Sequence, residues 1–303
     1  MSTYRRLSEI YKNSIEVAFD NNSKIAILSD CHRGDGSWAD DFNHNQNVFY
    51  SALKYYYANG FTYIDLGDSD ELWKNKRFEK IGVTHAEIFR LIRDFYLDNR
   101  LYMIYGNHDI LKRNSVYVKK HLARIYDPHT ASYEPLFGDI QFHEGLILMH
   151  NETGVKFLLV HGHQGDLIAD IMWRLGSFLT RNFWRNLEIF GLNDPTSAAI
   201  NYEVLKKVEK KFIEWIEDNK QPVICGHTHR PSCPPKEQPP YFNDGSCIYN
   251  RFITCLEIAD SEITLVKWDI KTNRDRLFLV DRQVIAPPRK IKSIKEYKYN
   301  TDS

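Results

Sequence analysis

Net charge is the first thing this sequence lacks, since 40 lysines and arginines stand against 40 aspartates and glutamates. No global field draws the chain to nucleic acid or to an anionic membrane, and a nuclease loses its usual electrostatic footprint. Cysteine is scarce: Cys31, Cys225, Cys233, Cys247 and Cys255 are odd in number and form no C-x-x-C pair. That excludes a disulfide framework and fits reduced thiols. Cys225 and Cys233 lack a structural zinc spacing and are expected to be buried thiols. Met1 to Asp20 has no long apolar core and carries Arg5, Arg6, Glu9, Lys12 and Glu16, so a signal peptide or membrane span is not expected there. The cytoplasm is the expected compartment. Internal repeats are absent, and 43% hydrophobic with 26% charged residues excludes collagen-like, low-complexity and disordered classes.

What is present is an alternation of short apolar runs and helical stretches. Lys24 to Ser29, Thr62 to Leu66 and Leu101 to Tyr105 have the pattern of buried strands, and Asn47 to Asn59 and His85 to Asp98 carry apolar residues at helical spacing. Polar clusters beginning at Asp30, Asp68 and Asn107 follow the three strands at intervals of 38 and 39 residues, close to one βαβ unit each. Parallel strands would deliver all three clusters to one carboxyl edge, where ligands bind in open α/β sheets. Ile140 to His143, Leu146 to His150 and Lys156 to Val160 follow as consecutive strands, with tight turns expected at Glu144-Gly145 and Glu152-Thr153-Gly154. A helical block from Asp166 to Asn219 precedes strands at Pro222 to Cys225, Phe252 to Ile258, Ile263 to Trp268 and Leu277 to Asp281. Residues 1–281 are expected to form one domain, with a helical cap insertion at about 164–219. Residues 282–303, with six lysines and arginines, are expected to be a mobile basic tail.

Five clusters concentrate metal-ligand residue types: Asp30-Cys31-His32, Gly67 to Glu71, Gly106 to Asp109, His161-Gly162-His163 and Gly226 to His229. In extended backbone, residues two apart face the same side, so Asp30 with His32, and His227 with His229, would each reach a common centre. Carboxylate, amide and imidazole without thiolate suit manganese, iron or zinc, and seven such ligands are too many for one tetrahedral ion. Two divalent metals are the natural count, with manganese the best fit. Asp70 and Asp109 are expected to be solvated turn carboxylates, and Arg33, Arg113 and Arg230 lie near enough to the clusters to meet a phosphate.

In order, these blocks resemble the calcineurin-like metallophosphoesterases, whose D-x-H, G-D-x-x-D/E, G-N-H-D/E, H and G-H-x-H motifs run here from about Lys24 to Asp269. The resemblance implies a four-layer α/β/β/α sandwich and a dinuclear phosphoesterase that works by metal-hydroxide attack. It implies that Asp30, His32 and His229 hold one metal, that Asn107, His161 and His227 hold the other, and that Asp68 bridges them. His108 matches the histidine that steadies the phosphoryl group and protonates the leaving oxygen, and Glu71 the acidic residue that supports it. His163 and Arg230 are candidate substrate contacts, and Asn243 to Ser246 is expected to shape the site wall. All seven ligand positions are retained, which argues for an enzyme over a scaffold.

Substrate choice is expected to lie in the insertion. Leu167 to Leu192 crowds Trp173, Phe178, Phe183, Trp184 and Phe190 among Arg174, Arg181 and Arg185. Such a face suits a cap over a greasy substrate, a membrane-surface helix, a dimer interface or plain packing. Gly67 to Trp73 and Gly226 to Pro231 are also similar to the bacterial UDP-2,3-diacylglucosamine pyrophosphohydrolases, which carry arginine where this chain has His108. A phosphomonoester, a phosphodiester and a pyrophosphate are all open as substrates, as are peripheral lipid contact and a homo-oligomer.

Overall fold

In the computed structural model the described residues are 3–75, 77–165, 202–272 and 275–299. Helix α1 (Thr3–Asn13) and strand β1 (Ile15–Phe19) lead into β2 (Ile25–Leu28), α2 (Gln46–Ala58) and β3 (Thr62–Asp65). Helices α3 (Phe78–Thr84) and α4 (Ala86–Leu97) then lead to β4 (Leu101–Ile104). Helix α5 (Ser115–His121) precedes a ribbon of β5 (Arg124–Asp127) and β6 (Ser132–Pro135), followed by β7 (Phe142–His143), β8 (Gly145–His150) and β9 (Lys156–Val160). After α6 (Tyr202–Asn219) come β10 (Val223–Cys225), β11 (Tyr241–Asn243), β12 (Phe252–Ala259), β13 (Glu262–Thr272) and β14 (Phe278–Val284). Strand β15 (Arg289–Lys290) and helix α7 (Ile291–Lys295) close the described chain. Among the described residues no helix is long and apolar enough to cross a membrane.

These strands make two main sheets, in the orders β14-β13-β12-β2-β3-β4-β7 and β1-β8-β9-β10-β11. The expected crossovers hold: β2, β3 and β4 pair in parallel. Alternating residues on one strand enter different cores, as the period of two requires. Ile25 and Ile27 join a cluster shared with Leu146, Leu148, Phe157, Leu159 and Ile224 of the other sheet. Ala26 and Leu28 join the cluster built from Phe49, Leu53 and Tyr56 of α2 and Ile92 and Phe95 of α4. On the smaller sheet, Leu158, Val160 and Val223 turn away to meet Leu7 and Ile10 of α1 and Phe212, Trp215 and Ile216 of α6. Strands buried on both faces explain the uninterrupted apolar runs.

Two expectations need correction. The strands ending at His143 and starting at Gly145 are not a hairpin, because β7 pairs with β4 in the larger sheet and β8 pairs with β1 and β9 in the smaller. Glu144 is therefore a step between sheets, a distinction that short range spacing does not carry. The expected mobile tail is folded as far as Tyr299. Strand β15 pairs with β13, and Ile291 and Ile294 of α7 are buried in the cluster between the sheets. Lys292 and Lys295 project outward from a helix whose apolar residues are three apart, a turn too short to stand out as periodic. The expected cap lies mostly outside the described residues, which resume with α6 of that block.

Candidate metal centre

Five predicted clusters converge at the carboxyl ends of β2, β3, β4, β9 and β10, but not by the expected geometry. Asp30, His32, Asp68, His227 and His229 all have positive φ, between 48° and 64°, so these residues sit in left-handed turns just past the strands and not in extended backbone. A non-glycine residue in that region costs on the order of 1–3 kcal/mol and persists only where the surroundings enforce it. Here the loops hydrogen-bond to one another: Asp30 N donates to the Gly67 carbonyl, His32 N to that of Asp68, and Gly226 N to that of His161, at 2.8–3.0 Å. The loops approach so closely that glycine is required. A Cβ on Gly106 would fall inside the Asp68 carboxylate, and one on Gly226 would run into Ser29 and Asp30.

Three groups of potential ligand atoms result among the described residues: His32, Glu71 and His108 form one, and the other two hold most of the expected ligands. Asp30, His32 and His229 offer atoms that all lie within 4.8 Å of one another, as do Asp68, His161 and His227. The groups adjoin, since His161 Nε2 is 3.2 Å from Asp68 Oδ2 and 4.0 Å from Asp30 Oδ1. Asn107 is buried beside them, and its Oδ1, His32 Nε2 and His161 Nε2 are buried without a hydrogen-bond partner. Buried polar atoms are rarely left unsatisfied, and these three are the atoms a cation would take. The opposite ring nitrogens are occupied: His161 Nδ1 donates to the Leu66 carbonyl at 3.0 Å and His32 Nδ1 to Glu71 Oε2 at 3.2 Å. Such bonds fix the tautomer that leaves Nε2 for a metal. The donor set fits divalent cations.

Electrostatics agree with that fit. Burial opposes ionisation of Asp30, yet the imidazoles of His229 and His161 outweigh it and hold the carboxyl well below its usual range. Asp68 is likewise lowered against its burial, by His161 and then His108. His161 is pushed up to about 9, because Asp68 and Asp30 overcome the burial that disfavours its charge. In the metal-free chain, protons on imidazole balance carboxylates that a cation would otherwise balance.

Beside this pair of groups, His108 Nδ1 donates to Glu71 Oε2 at 2.8 Å, and His108 N donates to Asp68 Oδ1 at 2.7 Å. Glu71 Oε2 thus accepts from both His32 and His108, while Oε1 accepts from the main chain of Trp73 and Lys74. Burial works against its charge, but His108 and His32 hold the Glu71 carboxyl well below the usual range. His163 is buried with its ring 5.5 Å from that of His161 and 6.5 Å from that of His227. Burial, then the two neighbouring imidazoles, push it down, so it is neutral. Arg230 Nη1 donates to Glu209 of α6 at 3.2 Å, which ties the last ligand loop to that helix.

Several residues around the clusters support the site, most of them in roles that their sequence positions do not show. Asp70 and Asp109, expected to be solvated, are buried, and so is Arg33, which faces inward: its Nε donates to Asp70 Oδ1 at 2.8 Å. Lys112 Nζ completes the network, 2.6 Å from Asp70 Oδ2 and 2.7 Å from Asp109 Oδ2. Asp109 also accepts from Gly106 N and Ser69 N, so the network joins the loops after β2, β3 and β4 under the candidate metal ligands. The Asn243 to Ser246 turn does the same for the other side: Asn243 Nδ2 donates to the Gly226 carbonyl, and Ser246 Oγ to that of Asp30. Ser29 Oγ lies 2.5 Å from Asp30 Oδ2 and 2.8 Å from Asp244 Oδ1. Burial and the neighbouring Asp30 push Asp244 well up, which disfavours a second negative charge facing Asp30. Cys225 and Cys233 join neither ligand group, and burial pushes their thiols up to about 12 and about 11.

Residues 23–231 match the calcineurin-like phosphoesterase family. No curated protein matches the chain. Among solved structures, that of Vps29 from Chaetomium thermophilum is similar at a TM-score of 0.39 and 10% identity, covering 88% of this chain and 98% of that one. The family match spans well over half of the sequence and contains all seven expected ligand positions, so the chain belongs to the calcineurin-like phosphoesterase family.

Proposed function

We propose that this protein is a dinuclear metal-dependent phosphoesterase that hydrolyses a phosphate ester or pyrophosphate bond. The observation that carries the reading is the meeting of two three-residue ligand groups around buried nitrogen and oxygen atoms that have no hydrogen-bond partner. Asp30, His32 and His229 would hold one ion, Asn107, His161 and His227 the other, and Asp68 both. When bound, two divalent ions neutralise phosphoryl oxygens and make hydroxide available near neutral pH. The oxygen- and nitrogen-rich donor set favours manganese, with iron or zinc as the other candidates. Glu71 keeps the Nδ1 proton of His108 in place, which leaves Nε2 to contact a phosphoryl oxygen or give a proton to the leaving oxygen. The free thiols fit a reducing compartment such as the cytoplasm.

A chelator-stripped chain resupplied with manganese, zinc or iron tests this, with ions counted per chain and hydrolysis followed on p-nitrophenyl phosphate, bis-p-nitrophenyl phosphate and a nucleotide-sugar pyrophosphate. The expected result is binding of two ions and metal-dependent turnover of at least one probe. Preference for the pyrophosphate would support the lipid-nucleotide hydrolases as the nearest functional relatives. Two bound ions without turnover would make the chain a scaffold, and absence of metal binding would sink the reading.

A further inference from the structure

Trp73 lies against the centre but belongs to neither ligand group. Its indole is stacked on the His108 imidazole, with ring centroids 4.1 Å apart and planes 16° from parallel, and its Nε1 donates to the Asn107 carbonyl at 2.7 Å. The hydrogen bond to Glu71 fixes one nitrogen of the His108 ring but does not by itself fix the plane of the ring. The stack restricts the plane. On another side His32 meets the ring edge-to-face, at 4.5 Å and 88°. Trp73 is itself held, because its main-chain N donates to Glu71 Oε1 and its indole N–H is tied to the residue before His108. Glu71 and Trp73 together thus define both the position and the plane of the imidazole.

We propose that Trp73 is a positioning residue for His108, its indole face setting the plane in which Nε2 is presented to the phosphoryl group or the leaving oxygen. This rests on the phosphoesterase reading of the site. A general acid contributes about 100- to 10,000-fold, and misplacement by about 1 Å can cost roughly 100-fold. Loss of the stack should therefore resemble a partial loss of His108, and an aromatic ring without the indole N–H should restore most of the effect.

The experiment compares Trp73→Leu, Trp73→Met, Trp73→Phe, His108→Asn and the Trp73→Leu/His108→Asn double variant in the manganese-loaded protein. Turnover is measured on an alkyl phosphate, whose leaving oxygen needs a proton, and on p-nitrophenyl phosphate, whose leaving group does not. The Leu and Met variants should lower kcat about 10- to 100-fold on the alkyl ester and much less on the aryl ester, with KM and metal content unchanged. Phe should retain most of the wild-type rate, and the double variant should be no slower than His108→Asn. Independently of activity, the His108 ring-proton NMR signals of the zinc-loaded protein, assigned by their loss in His108→Asn, should carry an indole ring-current shift that the Leu or Met variant abolishes. Additive losses in the double variant, equal losses on both esters, or unshifted His108 signals in the wild type would overturn the proposal alone. A wild type that binds metal and hydrolyses neither these esters nor the diester and pyrophosphate probes would overturn the phosphoesterase reading, and the proposal with it.

Discussion

At the scale of single residues, Asp68 is the position on which the centre depends most. One of its carboxylate oxygens accepts the His108 main-chain N–H and the other faces His161, so it adjoins both the ligand pair and the proposed acid. Asp68→Ala should remove at least one bound ion and reduce turnover by several orders of magnitude, because in the proposed centre this carboxylate would supply charge to both ions. Metal analysis of the purified variant checks this, and two retained ions with normal turnover would contradict it. His161 makes a separate prediction about pH. Its value in the metal-free chain is about 9, above the ordinary 6.5, and Nδ1 is bonded to a carbonyl, so the added proton sits on Nε2. A metal must displace that proton. Uptake near neutral pH should therefore release protons, and affinity should rise as the pH climbs toward about 9. Linkage has the same sign in the metal-free fold, which should gain stability from His161 below about 6.5 and lose it as pH rises through about 9. Calorimetric titration in two buffers of different ionisation heat measures the release, and an affinity that ignores pH over this range would refute the assignment.

At the scale of elements, the ligand loops are held from below by charge in a buried network. Lys112 contacts Asp70 and Asp109, and Arg33 contacts Asp70 from the other side. Burial raises the cost of charging Asp70, yet Arg33 and Lys112 more than offset it and lower its pKa. The network's stabilisation is therefore present above the ordinary carboxylate range and lost as pH falls through the lowered value. Lys112→Met should cost about 3–5 kcal/mol, since it leaves buried carboxylates without their cation. Thermal unfolding reads the cost directly. A change within experimental scatter would show that Arg33 alone balances the network.

At the scale of the whole molecule, the C-terminal segment contributes to the joint between the sheets. Ile291 and Ile294 share a cluster with Ile25, Leu146 and Leu265, which come from both sheets. Replacing both isoleucines by alanine should destabilise the fold by about 2–5 kcal/mol for each side chain, as deletion of buried aliphatic groups does. Denaturant unfolding is the measurement, and a loss near zero would restore the picture of an independent tail. Arg289 reinforces the joint by donating to the carbonyls of Pro234 and Gln238, so the segment also braces the long loop after the last histidine pair.

The family, the three parallel crossover strands and the order of the candidate ligand blocks were legible in the sequence alone, because those depend on local periodicity and on residues within a few positions of one another. It also placed His108 and Glu71 as neighbours of the ligands, and the structure brings their side chains to 2.8 Å. Tertiary structure alone decided what fills the space between blocks. Asp70 reads as a turn carboxylate until Arg33 and Lys112 close over it, and Trp73 reads as one more aromatic until it lies on His108. The Asp244 carboxyl is pushed up only by burial beside Asp30. The left-handed backbone of Asp30, His32, Asp68, His227 and His229 was hidden for the same reason. Strain of that kind is not a preference of the residues, and exists only because hydrogen bonds between loops distant in sequence impose it.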